Sequence, residues 1–299
     1  MTERQHADIE EWINAASANP AERRRRQAAE ILIATISTNP DLKNLLYLKG
    51  GMLMNLVYAS PRMSGDIDFT TPAPPEGFET QITESLNRAM NPAAADLGYT
   101  RHIFKVQTTE MRPPQLDFPW PTLLMTIGYA ERGTSQETLL AQGRSSLVLH
   151  VDISFNEPVY NWEEIEIRGA AIGANEGHTK ETPVILAYSV YELVAEKLRA
   201  ILQQRKRNRY RRQDIYDIAR ILSIRPFTSE QTNTVHEILV AKCQSRDIEP
   251  TRDMIDDQEL YERSRERYAE MRLDRGDSPL DFEADYRSVA DFYHSMPWS

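Results

Sequence analysis

Residues 49–69 read Lys-Gly-Gly-Met-Leu-Met-Asn-Leu-Val-Tyr-Ala-Ser-Pro-Arg-Met-Ser-Gly-Asp-Ile-Asp-Phe, and they hold residue types suited to phosphate and metal chemistry. Asp66 and Asp68 flank a single isoleucine. On an extended strand successive side chains alternate faces, so the two carboxylates point one way while Ile67 and Phe69 turn to the core. Aspartate is disfavoured in strands and like charges on one face repel, so the pair implies a divalent cation. Gly50 and Gly51 lack Cβ and let backbone N–H groups approach a phosphate chain at the N-terminus of a following helix, where the dipole also favours negative charge. Taken singly, a Gly-Gly turn or an acidic strand edge is ordinary. Together they describe a phosphate seat facing a metal seat.

Those residues need elements to hold them. The periodicity predicts helix over about Asp8–Thr38 with a break at Asn19-Pro20, a strand at Leu45–Leu48, a helix at Met52–Ala59 stopped by Ser60-Pro61, and a strand at Asp66–Thr70. A helix at Glu79–Met90 and three β-rich runs, Ile103–Thr108, Thr122–Tyr129 and Ser146–Phe155, follow. The last run alternates cleanly. Leu147, Leu149, Val151, Ile153 and Phe155 form its apolar face, leaving His150, Asp152 and Ser154 on the other. After Pro183 the pattern turns helical, beginning with an apolar stripe over Tyr188–Gln204 that carries Lys197. Further helices are predicted from Arg212, and over Glu230–Cys243, Asp253–Leu273 and Asp281–His294.

The pattern of two glycines, a helix and Ser-x-Asp-x-Asp resembles the nucleotidyltransferase superfamily that includes polymerase β, and specifically the AbiEii-type nucleotidyltransferase toxin family. Lys49, Gly50, Gly51, Arg62, Ser64, Asp66, Asp68 and Phe69 sit where that family has them. The fourteen residues Met52–Gly65 separate glycines from acids more widely than in much of the superfamily, a gap similar to the AbiEii branch. Lys197, the arginine after it and Arg212-x-Asp214-x-x-Asp217 resemble two further family motifs.

The resemblance implies an α+β fold, a mixed nucleotidyltransferase-like sheet with flanking helices over residues 1–183, followed by a C-terminal helical bundle over 184–299. It implies transfer of a nucleoside monophosphate from an NTP to an acceptor, with Mg²⁺ as cofactor. Two ions would serve, one at the attacking hydroxyl and one on the triphosphate, and that chemistry needs a third carboxylate. Asp152 is the candidate beside Asp66 and Asp68; a solvent-facing strand residue is its bland reading. His150 on the same face is an optional base that the chemistry does not require. Lys49, Gly50, Gly51, Arg62, Ser64 and Lys197 are expected to bind nucleotide. Lys197 would reach the triphosphate, with Asp214 holding the lysine or ordering the nucleotide. A surface Glu-Lys pair and an acidic helix start are the plain alternatives.

Family members similar to this chain extend the 3′ end of tRNA, block translation, and are partnered by an antitoxin. The basic run 205–212, six charges in eight residues, suits an RNA acceptor through Arg205, Arg207, Arg209, Arg211 and Arg212. Nucleotidylation of a protein and a non-catalytic nucleotide-binding or partner-binding module remain the competing readings.

Composition frames these expectations. The chain has 299 residues, 40% hydrophobic and 27% charged, with no apolar run near the roughly 20 residues of a membrane helix, so a cytoplasmic protein is expected. Net charge is −10, yet residues 245–299 carry about −7 of it, leaving the rest of the chain nearly balanced. The lone Cys243 excludes an internal disulfide and a multi-cysteine zinc site.

Overall fold

The computed structural model describes residues 5–114, 118–169, 182–273 and 280–298. Asn19 caps the helix that follows it, its side chain accepting from the Glu22 backbone N–H, and Pro20 occupies the first helical position where its missing N–H costs nothing. That helix, α2 (Pro20–Thr38), follows strand β1 (Gln5–Asp8) and the short α1 (Ile9–Ala15). Next come β2 (Tyr47–Lys49), α3 (Gly50–Val57), β3 (Asp66–Thr71), α4 (Phe78–Asp96), β4 (His102–Arg112), β5 (Thr122–Glu131), α5 (Ser135–Ala141), β6 (Val148–Phe155), β7 (Trp162–Arg168) and β8 (Val184–Tyr188).

The strands form one mixed sheet in the order β1-β7-β8-β2-β3-β6-β5-β4. At its centre β3 pairs parallel with β6 and antiparallel with β2. One face of these strands is apolar and closed: Ile67, Phe69, Val151, Ile153 and Phe155 are at most 2% exposed. The alternation read from the sequence is thereby realised, with Asp66, Asp68 and Asp152 on the opposite face. The chain has the mixed α/β architecture, with flanking and C-terminal helices, that the sequence predicts.

The chain divides into two compact units. The first holds Met1–Val57, Ser64–Glu157 and Glu163–Ala187; the second holds Tyr58–Met63, Pro158–Trp162 and Tyr188–Ser299. The second is built on α6 (Val190–Gln203), α7 (Arg212–Ile224), α8 (Ser229–Gln244), α9 (Gln258–Arg265) and α10 (Phe282–His294). Ser189 caps α6 through the Glu192 N–H, and Thr228 with Gln231 forms a reciprocal capping box on α8. Inside this unit the Lys242 ammonium lies 2.7 Å from Glu192, which also accepts the backbone N–H groups of Tyr160 and Asn161. Cys243 is buried on α8, and burial pushes its thiol up to about 12.

Several elements differ from the sequence expectation. Strands β1, β7 and β8 and helix α5 lie outside the sequence expectation; β1, β8 and α5 are short, and β7 buries only Ile165 and Ile167. The single helix expected over Asp253–Leu273 is instead a 3-10 turn at Met254–Asp256, α9, and a second 3-10 turn at Tyr268–Glu270. Arg267 adopts φ +57° between the two, which ends helical propagation. No helix among the described residues is long and apolar enough to cross a membrane.

Candidate active site

The strand β2 ends at Lys49 and the chain turns directly into α3 at Gly50. Gly50 has φ +67°, the left-handed region that side chains avoid. Its missing Cβ matters a second time, because an atom built there would collide with the Asp68 carboxylate and lie 2.8 Å from Asp68 Cγ. The glycine of the first half of the motif thus makes room for the acid of the second half. Gly51 is buried in the first turn of α3.

Register aligns the polar side chains across three strands. Lys49 pairs with Asp68 across β2 and β3, Asp68 pairs with Asp152 across β3 and β6, and Asp66 pairs with His150 one pleat away. The row Lys49–Asp68–Asp152 therefore crosses one face of the sheet, flanked by Asp66 and His150. Burial, reinforced by Asp68 and then Asp66, raises the Asp152 carboxyl to about 6, against the smaller pull of His150 and Lys49. Asp152 thus feels the charge of both other acids. Among the described residues no three histidine, cysteine, aspartate or glutamate side chains are already gathered into a metal-ligand group. The fit to a cation rests on the shared face, the mutual repulsion and the all-oxygen donors, which suit a hard ion such as Mg²⁺.

Lys49 Nζ lies 3.1 Å from Ser154 Oγ and donates to Glu157, so this expected nucleotide ligand is held at the sheet face by two residues that the sequence reading did not single out. Ser154 belongs to the alternating polar face of β6, a signal that was available. Glu157 lies beyond the strand and gave none. Ser64 donates its hydroxyl to the Asp66 backbone carbonyl at 3.1 Å, bracing the entrance to β3.

The second unit gathers Arg62, Lys197, Asp214 and Asp217. Arg62 grips Asp217 with two parallel bonds of 3.0 and 2.9 Å, while Lys197 Nζ donates to Asp217 at 2.6 Å and to Asp214 at 3.0 Å. Asp217 is fully buried and Lys197 is 5% exposed. Burial opposes the charge on each; for Asp217 it is outweighed by Lys197 and Arg62, which hold the carboxyl below its ordinary range. Lys197 is likewise held above its ordinary value by Asp217 and Asp214 in spite of burial. Asp217, which stands three residues after Asp214, accepts from both cations, Arg62 and Lys197. Its position in Arg-x-Asp-x-x-Asp was visible, but its place on the inward face of α7 was not.

The basic run 205–212 is unevenly employed. Arg205 lies 3.0 Å from Glu259, and Arg211 lies 3.6 Å from Asp214. Arg207 and Arg209 are exposed, and Arg212 opens α7 half-buried.

A mixed sheet with carboxylates in register beside a glycine-opened helix defines the nucleotidyltransferase class. Residues 30–291 match the family described as nucleotidyl transferase AbiEii toxin, type IV toxin–antitoxin system. The chain belongs to this family and is a nucleotidyltransferase. Membership of a toxin–antitoxin family implies an NTP substrate and a cognate antitoxin. Its fold is similar to MenT4, a nucleotidyltransferase toxin from Mycobacterium tuberculosis, with TM-score 0.53 and 14% identity over 96% of this chain and 88% of that one. JHP933 from Helicobacter pylori aligns with TM-score 0.40 and 12% identity over 91% of this chain and 92% of that one. No curated protein matches the sequence.

Proposed function

We propose that the chain transfers a nucleoside monophosphate from an NTP to the 3′ end of tRNA at the Asp66, Asp68 and Asp152 face, and so blocks translation. The observation that carries the transfer site is the register: Asp68 and Asp152 are direct partners on neighbouring parallel strands, and Asp66 lies one pleat from them. Asp66, Asp68 and Asp152 would hold Mg²⁺, which when bound neutralises the triphosphate and the developing charge at phosphorus. Gly50 and Gly51 leave the start of α3 open to the phosphates. The acceptor hydroxyl oxygen forms a bond to the α-phosphorus, the bond to the β-phosphate bridge breaks, and pyrophosphate leaves. Asp152 is the carboxylate placed to take the hydroxyl proton, lying beside Asp68 across β3 and β6.

Lys49 orders the rim of this face through Ser154 and Glu157. Ser64 sets the approach of Asp66, and Arg62 acts on nucleotide binding by fixing Asp217. Lys197 engages the triphosphate by exchanging Asp214 for a phosphate oxygen while Asp217 keeps its hold. Lysine suits such an exchange because its donors are a rotatable point charge. The preference for RNA over a protein acceptor rests on the arginine run, and Arg205, Arg207, Arg209, Arg211 and Arg212 would contact RNA phosphates. Incubation with each labelled NTP, Mg²⁺ and total cellular RNA tests this reading. Label in a tRNA-sized band is the expected result, whereas label on protein alone would replace tRNA by a protein acceptor.

A further inference from the structure

The arginine run Arg23–Arg26 at the start of α2 is split by the fold into two pairs with different tasks. Arg25 makes two bonds of 2.9 Å to Glu22, and Arg26 bonds Glu22 as well, donates to the Trp12 carbonyl at 2.6 Å and lies over the Trp12 ring. Arg25 is thus tied within α2, while Arg26 fastens α2 to α1. Arg23 and Arg24 instead stand exposed on the wall of a cavity of about 480 Å³ in the first unit. Arg101, from the turn before β4, lines the same cavity, and its guanidinium is steadied by the Arg132 carbonyl at 2.9 Å.

Three arginines line this space against one acidic residue, Glu131 at the end of β5. His102 also lines it, and its Nε2 is buried without a hydrogen-bond partner among the described residues. Burial, opposed by Glu131 and assisted by Arg101 and Arg24, holds that imidazole below its ordinary range. The cavity opens beside the first turn of α2, a 19-residue helix whose dipole adds positive potential at that end. An excess of guanidinium forks with an unused ring nitrogen, in a space larger than a few waters need, matches a multiply charged oxyanion.

We propose that this cavity is a phosphate-binding site, one that takes a phosphate group carried either by an RNA backbone or by a small free phosphate compound. It goes beyond the transfer reaction and is measured without turnover, so its failure would leave the transfer reading untouched. A variant with Arg23→Ala, Arg24→Ala and Arg101→Ala is compared with the wild type, and Arg23→Lys with Arg24→Lys serves as the charge-keeping control. Binding of purified tRNA is measured over a range of salt, and inorganic phosphate is titrated while the ring signals of His102 are followed by NMR.

In the wild type, phosphate is expected to shift the His102 signals, and in the alanine variant that response should be lost. If RNA is the source, the variant also binds tRNA at least tenfold more weakly, with a salt slope flatter by up to about three units, while the lysine control retains most of both. Loss of the phosphate response with unchanged tRNA binding assigns the site to a small phosphate compound. A His102 signal that ignores phosphate, together with tRNA binding unchanged in the alanine variant, would overturn the proposal.

Discussion

Gly50 joins the two halves of the first motif, and it is the residue where backbone geometry and active-site geometry are the same fact. Its positive φ and the Asp68 carboxylate, which occupies the space a Cβ would take, both exclude a side chain. Gly50→Ala should destabilise the fold by about 1–3 kcal/mol through left-handed strain alone. It should also abolish transfer, because Asp68 must move to admit the methyl group. Urea unfolding and an NTP transfer assay on the same preparation check both, and an active, fully stable variant would contradict this account of the glycine. Asp152 offers a prediction with a sign. Its carboxyl is raised from 3.8 to about 6 in the folded chain, so the stability it contributes is complete below about pH 3.8 and is lost as pH rises through about 6. In metal-free protein Asp152→Asn should flatten that fall and raise the melting temperature at pH 7 by about 2 °C, the size being limited by solvent screening. Added Mg²⁺ should stabilise the wild type more than the variant, since it binds the native carboxylates. Thermal melts at pH 4 and pH 7, with and without Mg²⁺, provide the comparison.

At the scale of elements, α6 and α7 are joined by the buried quartet of Arg62, Lys197, Asp214 and Asp217. Asp217→Ala leaves two cations without their shared partner and should cost about 3–5 kcal/mol, the usual result of breaking a buried pair. Asp214→Asn should cost much less, since Asp217 still holds Lys197, and denaturant titration of the two variants gives the ranking. The pH dependence runs opposite to that of Asp152. With its folded value depressed, Asp217 stabilises above the ordinary carboxylate range and that stability is lost as pH falls below it. The loop between these helices carries the RNA expectation. Arg207, Arg209 and Arg211 changed together to alanine should flatten the salt slope of tRNA binding by up to about three units and leave NTP binding nearly unchanged. A slope equal to wild type in filter binding would remove tRNA from the account of this loop.

Across the whole molecule, what could be read in advance follows pattern length. The polar face of β6 and the apolar stripe of α6 repeat often enough for periodicity to reveal them, and the Ser-x-Asp-x-Asp strand placed its acids on the correct face. Strands β1 and β8 are short and β7 buries only Ile165 and Ile167 of its seven residues, so each is fixed by pairing with distant partners such as Gln5 with Ile165 and Tyr47 with Leu186. The site shows the same division. Asp68 facing Asp152 needed only alternation and one guess of adjacency, whereas Asp217 between two cations, and Glu157 on Lys49, depend on contacts between residues 20 to 155 positions apart. Family membership establishes nucleotidyl transfer for the molecule, and the central claim is where that transfer occurs. The most direct test is pyrophosphate release and label transfer from NTP, with Mg²⁺ and cellular RNA, by wild type and by Asp66→Asn, Asp68→Asn and Asp152→Asn. Each variant should retain a cooperative unfolding transition and lose on the order of a thousandfold in rate, several kcal/mol of transition-state stabilisation. Three folded variants that transfer label near the wild-type rate would place the chemistry elsewhere in the chain.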